Sequence, residues 1–192
     1  GRANTAVCGW LFSGLQAMRP GEITPAHKHT ASAHRFIMEG GGAYTVVDGH
    51  HVTLGKNDYV LTPNGCWHDH GVAADGQLSI WQDGLDIPLM NCMESNFYAV
   101  YDAPAQTPGF PADDLPLSYG GAMQPDGVEA WARPFSPTMV YRWEQVRDAI
   151  WNFAKVSSGS PFDGHIMRYS NPQTGGWALQ TMGEIGRASC RE

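Results

Sequence analysis

Two short histidine-bearing segments constrain this chain more than anything else in it. They are Pro25-Ala26-His27-Lys28-His29 and, about forty residues on, Pro63-Asn64-Gly65-Cys66-Trp67-His68-Asp69-His70-Gly71. Of the eight histidines, five (His27, His29, His34, His68 and His70) fall in or beside these segments. Side chains alternate along a strand with period two, so His-x-His on a strand aims both imidazoles at one face. A third imidazole from a neighbouring strand then completes a metal site. A lone His-x-His is equally a pair of surface or half-buried histidines, and the punctuation around it decides. Gly21 precedes the first segment, Glu39-Gly40-Gly41-Gly42 stops an apolar run, and Asn57-Asp58 opens the short run into the Pro63-Asn64-Gly65 turn.

Between and after the histidines the chain reads as short strands separated by turn residues. Strands are expected over 10–18, 24–29, 34–38, 43–47, 51–54, 59–62 and 77–81, with Asp48-Gly49 as a two-residue hairpin turn. The 23 glycines and 13 prolines supply the turns such a chain needs. Evenly spaced short strands indicate a sandwich or barrel. From 90 to about 136 the text becomes rich in Pro, Gly, Asp and Ala with little periodicity, as in an extended connection. Apolar residues at 143, 146, 150, 153 and 156 then mark an amphipathic helix over 143–156, expected to lay its apolar face on the barrel.

Charge and cysteine usage narrow the partners. The formal net charge is -7 with no basic run, which speaks against nucleic acid. No apolar run approaches the ~20 residues that span a bilayer, so no membrane partner is expected. Cys8, Cys66, Cys92 and Cys190 show no Cys-x-x-Cys spacing. They are read as reduced thiols of a cytoplasmic protein, and Cys66 as a packing residue beside the site. The chain begins at Gly1, so a preceding segment is expected. Residues 184–192 resemble the translation of a sequencing adapter and are set aside from the fold reading.

The two histidine segments, in this order and spacing, resemble the paired motifs of the cupin superfamily. That resemblance implies an all-β fold: a double-stranded β-helix, or jelly-roll barrel, holding a metal inside. Longer stretches resemble the gentisate 1,2-dioxygenase family, which includes the salicylate and 1-hydroxy-2-naphthoate 1,2-dioxygenases. They are PGEITPAHKHT (20–30), RFIMEGGGAYTVVDG (35–49), TPNGCWHDHG (62–71), WQDGLDIPL (81–89) and RYSNPQTGG (168–176). The family implies two cupin barrels per chain and a homotetramer. Residues 1–90 are then the N-terminal metal-binding barrel, 91–160 a linker, and 161–183 the opening of a truncated second cupin.

The resemblance also sets the expected chemistry. Many cupins carry a glutamate four or five residues after the second histidine, but here Ala33 stands four residues on, with no carboxylate near. The expected ligands are therefore three neutral imidazoles, His27, His29 and His68, holding Fe(II), with Zn or Ni possible after purification. The ion keeps its full charge and three open positions, two for an ortho-hydroxy aromatic carboxylate and one for O2. Strand parity aims Arg35 into the cavity, where it pairs either a substrate carboxylate or a structural acid such as Asp83. His34 has the opposite parity and should face away, in no role the sequence explains. His70 shares the parity of His68 and is either an acid–base or hydrogen-bonding group towards substrate and bound dioxygen, or else a fourth ligand or a structural histidine. Gln16, Asp83 and Phe12 fall on pocket-lining positions of the family, Phe12 being equally a core residue. The expected activity is Fe(II)-dependent cleavage of gentisate or a related substrate to a maleylpyruvate-type product. The alternative is a non-catalytic cupin, a binding or structural barrel.

Overall fold

The computed structural model of the chain describes residues 6–119, 123–127 and 131–188. Eight strands form the body: β1 (Phe12–Met18), β2 (Ile23–His29), β3 (Ala33–Glu39), β4 (Ala43–Val47), β5 (His50–Leu54), β6 (Tyr59–Thr62), β7 (His68–Val72) and β8 (Ser79–Leu85). Then come α1 (Ile87–Cys92), β9 (Tyr98–Val100), α2 (Asp114–Ser118), β10 (Val140–Tyr141), α3 (Trp143–Val156), β11 (His165–Arg168) and β12 (Ile185–Ala188). Two five-stranded sheets, β1-β8-β3-β6-β10 and β5-β4-β7-β2-β9, pack face to face with antiparallel pairings. This is the expected cupin jelly roll.

Local chemistry explains the pairings. The hairpin joining β4 to β5 pairs Val47 with His50, leaving only Asp48 and Gly49 in the turn. Both have positive φ, 47° and 85°, the mirror-image turn whose twist matches a two-residue hairpin. Residues opposite each other across a ladder share a face, so Gly14, Asp83, Arg35 and Val60 form one inward row. Gln16, Trp81 and Ile37 form the next. In the second sheet Val47, His68 and His27 form a matching row, with Thr45 and His70 beside it.

The barrel core is Met18, Ile37, Val47, Val52, Val60 and Trp81, all nearly or fully removed from water. A second layer of Tyr59, Leu61, Phe135, Met139, Leu179 and Met182 continues it on the other face of β6. A buried leucine side chain is worth about 1.5–3 kcal/mol, so this layer fixes the later segment on the barrel.

The connection after β8 is extended, yet its hydrogen bonds are to the barrel. Strand β9 adds an edge to β2, and Gln106 donates its backbone N–H and its side-chain amide to the buried Asp69 carboxylate. Helix α3 spans the expected residues. Its start is tied to the barrel, where Asp58 accepts from the Trp143 N–H at 2.9 Å and from Arg142 at 2.7 Å. Its apolar face does not lie on the barrel as expected. Val146 and Ile150 pack instead towards Gly186 in the β11–β12 hairpin. That hairpin pairs His165–Arg168 with Ile185–Ala188, so part of the segment set aside in the sequence reading forms a strand. Cys190 lies outside the described residues.

Candidate metal centre

Three imidazoles converge inside the barrel. Each of His27, His29 and His68 offers a ring nitrogen, and these nitrogens lie within 4.8 Å of one another. His27 and His68 are cross-strand partners on β2 and β7. His29 reaches the same point two residues along β2, as the period of a strand dictates.

The hydrogen bonds fix which nitrogen faces the centre. His27 Nδ1 lies 2.7 Å from the Pro25 carbonyl, His29 Nδ1 2.7 Å from the Ala31 carbonyl, and His68 Nδ1 3.0 Å from the Cys66 carbonyl. A carbonyl oxygen can only accept, so each Nδ1 carries a proton and Nε2 is the nitrogen left to meet an ion. The Nε2 of His68 is buried with no hydrogen-bond partner. Burial drives the proton affinity of His68 well below the usual imidazole range, Arg35 and His29 adding to the effect, and burial also lowers that of His29. Neutral rings with bare Nε2 atoms are what a divalent ion requires, so the donor set fits a metal. No carboxylate joins the cluster among the described residues.

Around the cluster the interior is polar and poorly satisfied. His70 is 2% exposed, and neither ring nitrogen has a hydrogen-bond partner. Its ring centroid is 5.6 Å from that of His68 and 6.1 Å from that of Trp81. Burial holds it neutral, with Arg35 the next cause. Trp81, missed in the sequence reading, is fully buried beside Asp83, and its indole N–H is among the groups that hold the Asp83 pKa down. Its shared parity with Asp83 on β8 was the available signal.

Arg35 points inward as parity required. Its Nε lies 2.9 Å from Asp83 Oδ1, an ion pair too poorly aligned to count as a hydrogen bond, and its Nη1 donates to Thr62. Burial raises the Asp83 pKa more than Arg35 lowers it. Gln16 faces inward but spends its amide on Thr24 at 3.1 Å. Phe12 is half-buried, its ring folded over Gly14, where an added Cβ would stand 2.9 Å from the ring. His34 faces away from the centre. It packs over Gly84, where any Cβ would come within 2.1 Å of its Nε2, and burial lowers its pKa to about 4. A cavity of about 570 Å³ bordered by Tyr141, Val146, Ile150, Met167 and Tyr169 is lined by none of these histidines, so chemistry rather than volume marks the site.

The fold and the inward histidine cluster define a cupin with a candidate metal centre, and the cupin-domain family model matches residues 14–87. Within that class the chain's homologues and structural neighbours include gentisate 1,2-dioxygenases and the related salicylate and hydroxynaphthoate dioxygenases. The chain is 37% identical over 172 residues to gentisate 1,2-dioxygenase 1 of Aquipseudomonas alcaligenes, covering 90% of this chain and 49% of the relative. It is 35% identical over 184 residues to 5-aminosalicylate 1,2-dioxygenase of a Comamonas species, covering 94% and 46%. Its fold matches a variant of salicylate 1,2-dioxygenase from Pseudoaminobacter salicylatoxidans, solved in complex with gentisate, with a TM-score of 0.80 and 30% identity over 92% of this chain and 50% of that one. The chain therefore spans about half the length of the relatives it matches. No helix among the described residues is long and apolar enough to cross a membrane.

Proposed function

We propose that this chain is the catalytic barrel of an Fe(II)-dependent ring-cleaving dioxygenase that acts on gentisate or a related ortho-hydroxy aromatic carboxylate. The observation that carries the reading is the pairing of two features in one interior. Three imidazoles converge with Nδ1 bound to carbonyls and Nε2 left for an ion, and a buried arginine stands close by with no carboxylate among the ligands. In this reading residues 161–183 open a second cupin, the full-length protein is a homotetramer, and the compartment is the cytoplasm.

His27, His29 and His68 would hold the ion. Bound ferrous iron would supply the Lewis acidity and redox capacity that bring a chelated aromatic and O2 together without an external reductant. The remaining roles belong to the protein. Arg35 neutralises and orients the substrate carboxylate, its Nη2 having no partner among the described residues. His70, neutral and unpartnered, donates one N–H and accepts at the other nitrogen, so it can hold a ring hydroxyl or a developing oxyanion. Asp83 accepts from the ring hydroxyl para to the chelating one while balancing Arg35. Phe12 and Trp81 wall the aromatic ring, and Gln16 ties β1 to β2 at the cavity mouth. The balance closes, since gentisate and one O2 give maleylpyruvate with both oxygen atoms retained.

The test is an anaerobic titration of iron-loaded protein with gentisate, followed by chromophore. Saturable binding that Arg35→Ala weakens at unchanged iron content supports the reading. Equal affinity in Arg35→Ala assigns the carboxylate to another residue.

A further inference from the structure

The three histidines are not oriented in the same way. His27 and His68 each donate Nδ1–H to a carbonyl two residues back on the same strand approach. His29 donates forward, to Ala31 in the turn where the chain crosses from one sheet to the other. That carbonyl belongs to the peptide joining Ala31 to Ser32, and the N–H of the same peptide donates to Asp86 Oδ1 at 2.7 Å. In a planar trans peptide the C=O and N–H point in opposite directions, so the two bonds form one line from Asp86 to His29.

Asp86 is placed for this task rather than for capping its own helix. It is the N-cap of α1, yet its side chain makes no capping hydrogen bond. Asp at that position ordinarily caps its own helix. It is 1% exposed and forms no ion pair among the described residues. Its second oxygen accepts the Thr181 hydroxyl. Ala31 and Ser32 are themselves buried, so the relay lies out of water.

We infer that Asp86 is a positioning residue for the metal centre, acting on His29 through the Ala31–Ser32 peptide. The arrangement is a carboxylate–histidine–metal triad with a peptide inserted. A buried anion polarises the peptide, strengthens its carbonyl as an acceptor, and so fixes the His29 tautomer and raises the basicity of its Nε2. It also places one negative charge behind a ligand set that carries none. The inference rests on the reading that His27, His29 and His68 hold a metal.

The test uses Co(II) as a probe, titrated in competition with a chelator, and hyperfine-shifted NMR of the loaded protein. Asp86→Asn should fold and lose about 10–100-fold in Co(II) affinity, the range for partners behind a ligating histidine. The His29 Nδ1–H resonance should move, and those of His27 and His68 should stay. Thr181→Val removes the other contact of Asp86 but keeps its charge, so it should bind Co(II) within about twofold of wild type. Equal affinity of Asp86→Asn and wild type overturns the inference, as does an equal loss in both variants, which would make Asp86 an anchor for the 181 segment. If Asp86→Asn does not fold, the Zn(II)-loaded wild type decides. Scalar couplings across both the His29–Ala31 and Ser32–Asp86 hydrogen bonds support the relay, and their absence refutes it. Wild type that takes up no Co(II) at these rings overturns the underlying reading instead.

Discussion

Replacing Arg35 should separate a structural ion pair from a substrate anchor. The Arg35 and Asp83 side chains are 6% and 13% exposed, so each charge depends on the other for compensation. Arg35→Leu leaves Asp83 buried beside an apolar group, and breaking such a pair costs about 3–5 kcal/mol. For a chain of this size that lowers Tm by about 6–20 °C. The double variant Arg35→Leu/Asp83→Leu removes both charges and should return to within about 1 kcal/mol of wild type. The pH dependence of the difference follows from the raised pKa of Asp83. A carboxyl with a folded pKa above its unfolded value binds more protons in the native state, so acid stabilises it. Without Arg35 that pKa rises further, and the stability gap between single and double variants should shrink as pH falls from about 8 to about 5. Urea unfolding across that range measures the gap, and gentisate titration of the double variant should show binding lost despite restored stability. If Arg35→Leu is as stable as wild type, or if the gap widens in acid, the charge reasoning is wrong.

Other predictions follow from the same accounting of buried groups. His34 has an ordinary value of 6.5 and a folded value of about 4, so the unfolded chain binds the extra proton between these limits and stability falls as pH drops through them. His34→Leu should therefore lose about 2 kcal/mol less than wild type between pH 7 and pH 5, read by urea unfolding. An unchanged pH slope would contradict the burial argument. His70 leaves two ring nitrogens unsatisfied, so His70→Leu should raise stability by about 1–2 kcal/mol while abolishing O2 uptake on gentisate. A less stable His70→Leu protein would place His70 in the structural frame. Burial raises the Cys66 thiol to about 12, with Asp48 contributing, so iodoacetamide at neutral pH should label Cys8 and Cys92 and spare Cys66 until unfolding, as mass spectrometry can show.

Much of the barrel was legible because its signals are local. Asp48-Gly49 dictates a mirror-image turn, and the apolar spacing at 143, 146, 150, 153 and 156 dictates α3. The inward direction of Arg35 was read correctly for an incomplete reason. Parity relates positions within one strand only, and β2 and β3 lie in different sheets, with the chain crossing over at Thr30–Ser32. The alternation resumes in phase because the crossover turns both strands' inner faces to the same interior. Helix α1 was missed because Pro, Asn and Met there carry no periodicity, although Pro88 at the helix start was a cue, and β9 because three residues are too few to show an alternation. The face that α3 covers, and the pairing of β11 with β12, depend on contacts between distant segments that no local pattern encodes. Asp86 was visible as a letter in WQDGLDIPL, but its link to His29 runs through a peptide 54 residues away.

Oxygen consumption by the iron-loaded chain on gentisate tests the central claim most directly, measured beside His68→Ala. The account predicts one O2 taken up per gentisate, both atoms recovered in the ring-opened product by isotope labelling, and neither stoichiometric iron nor uptake in His68→Ala. A His68→Ala protein that keeps its iron and consumes O2 at the wild-type rate would show that His27, His29 and His68 do not form the catalytic centre.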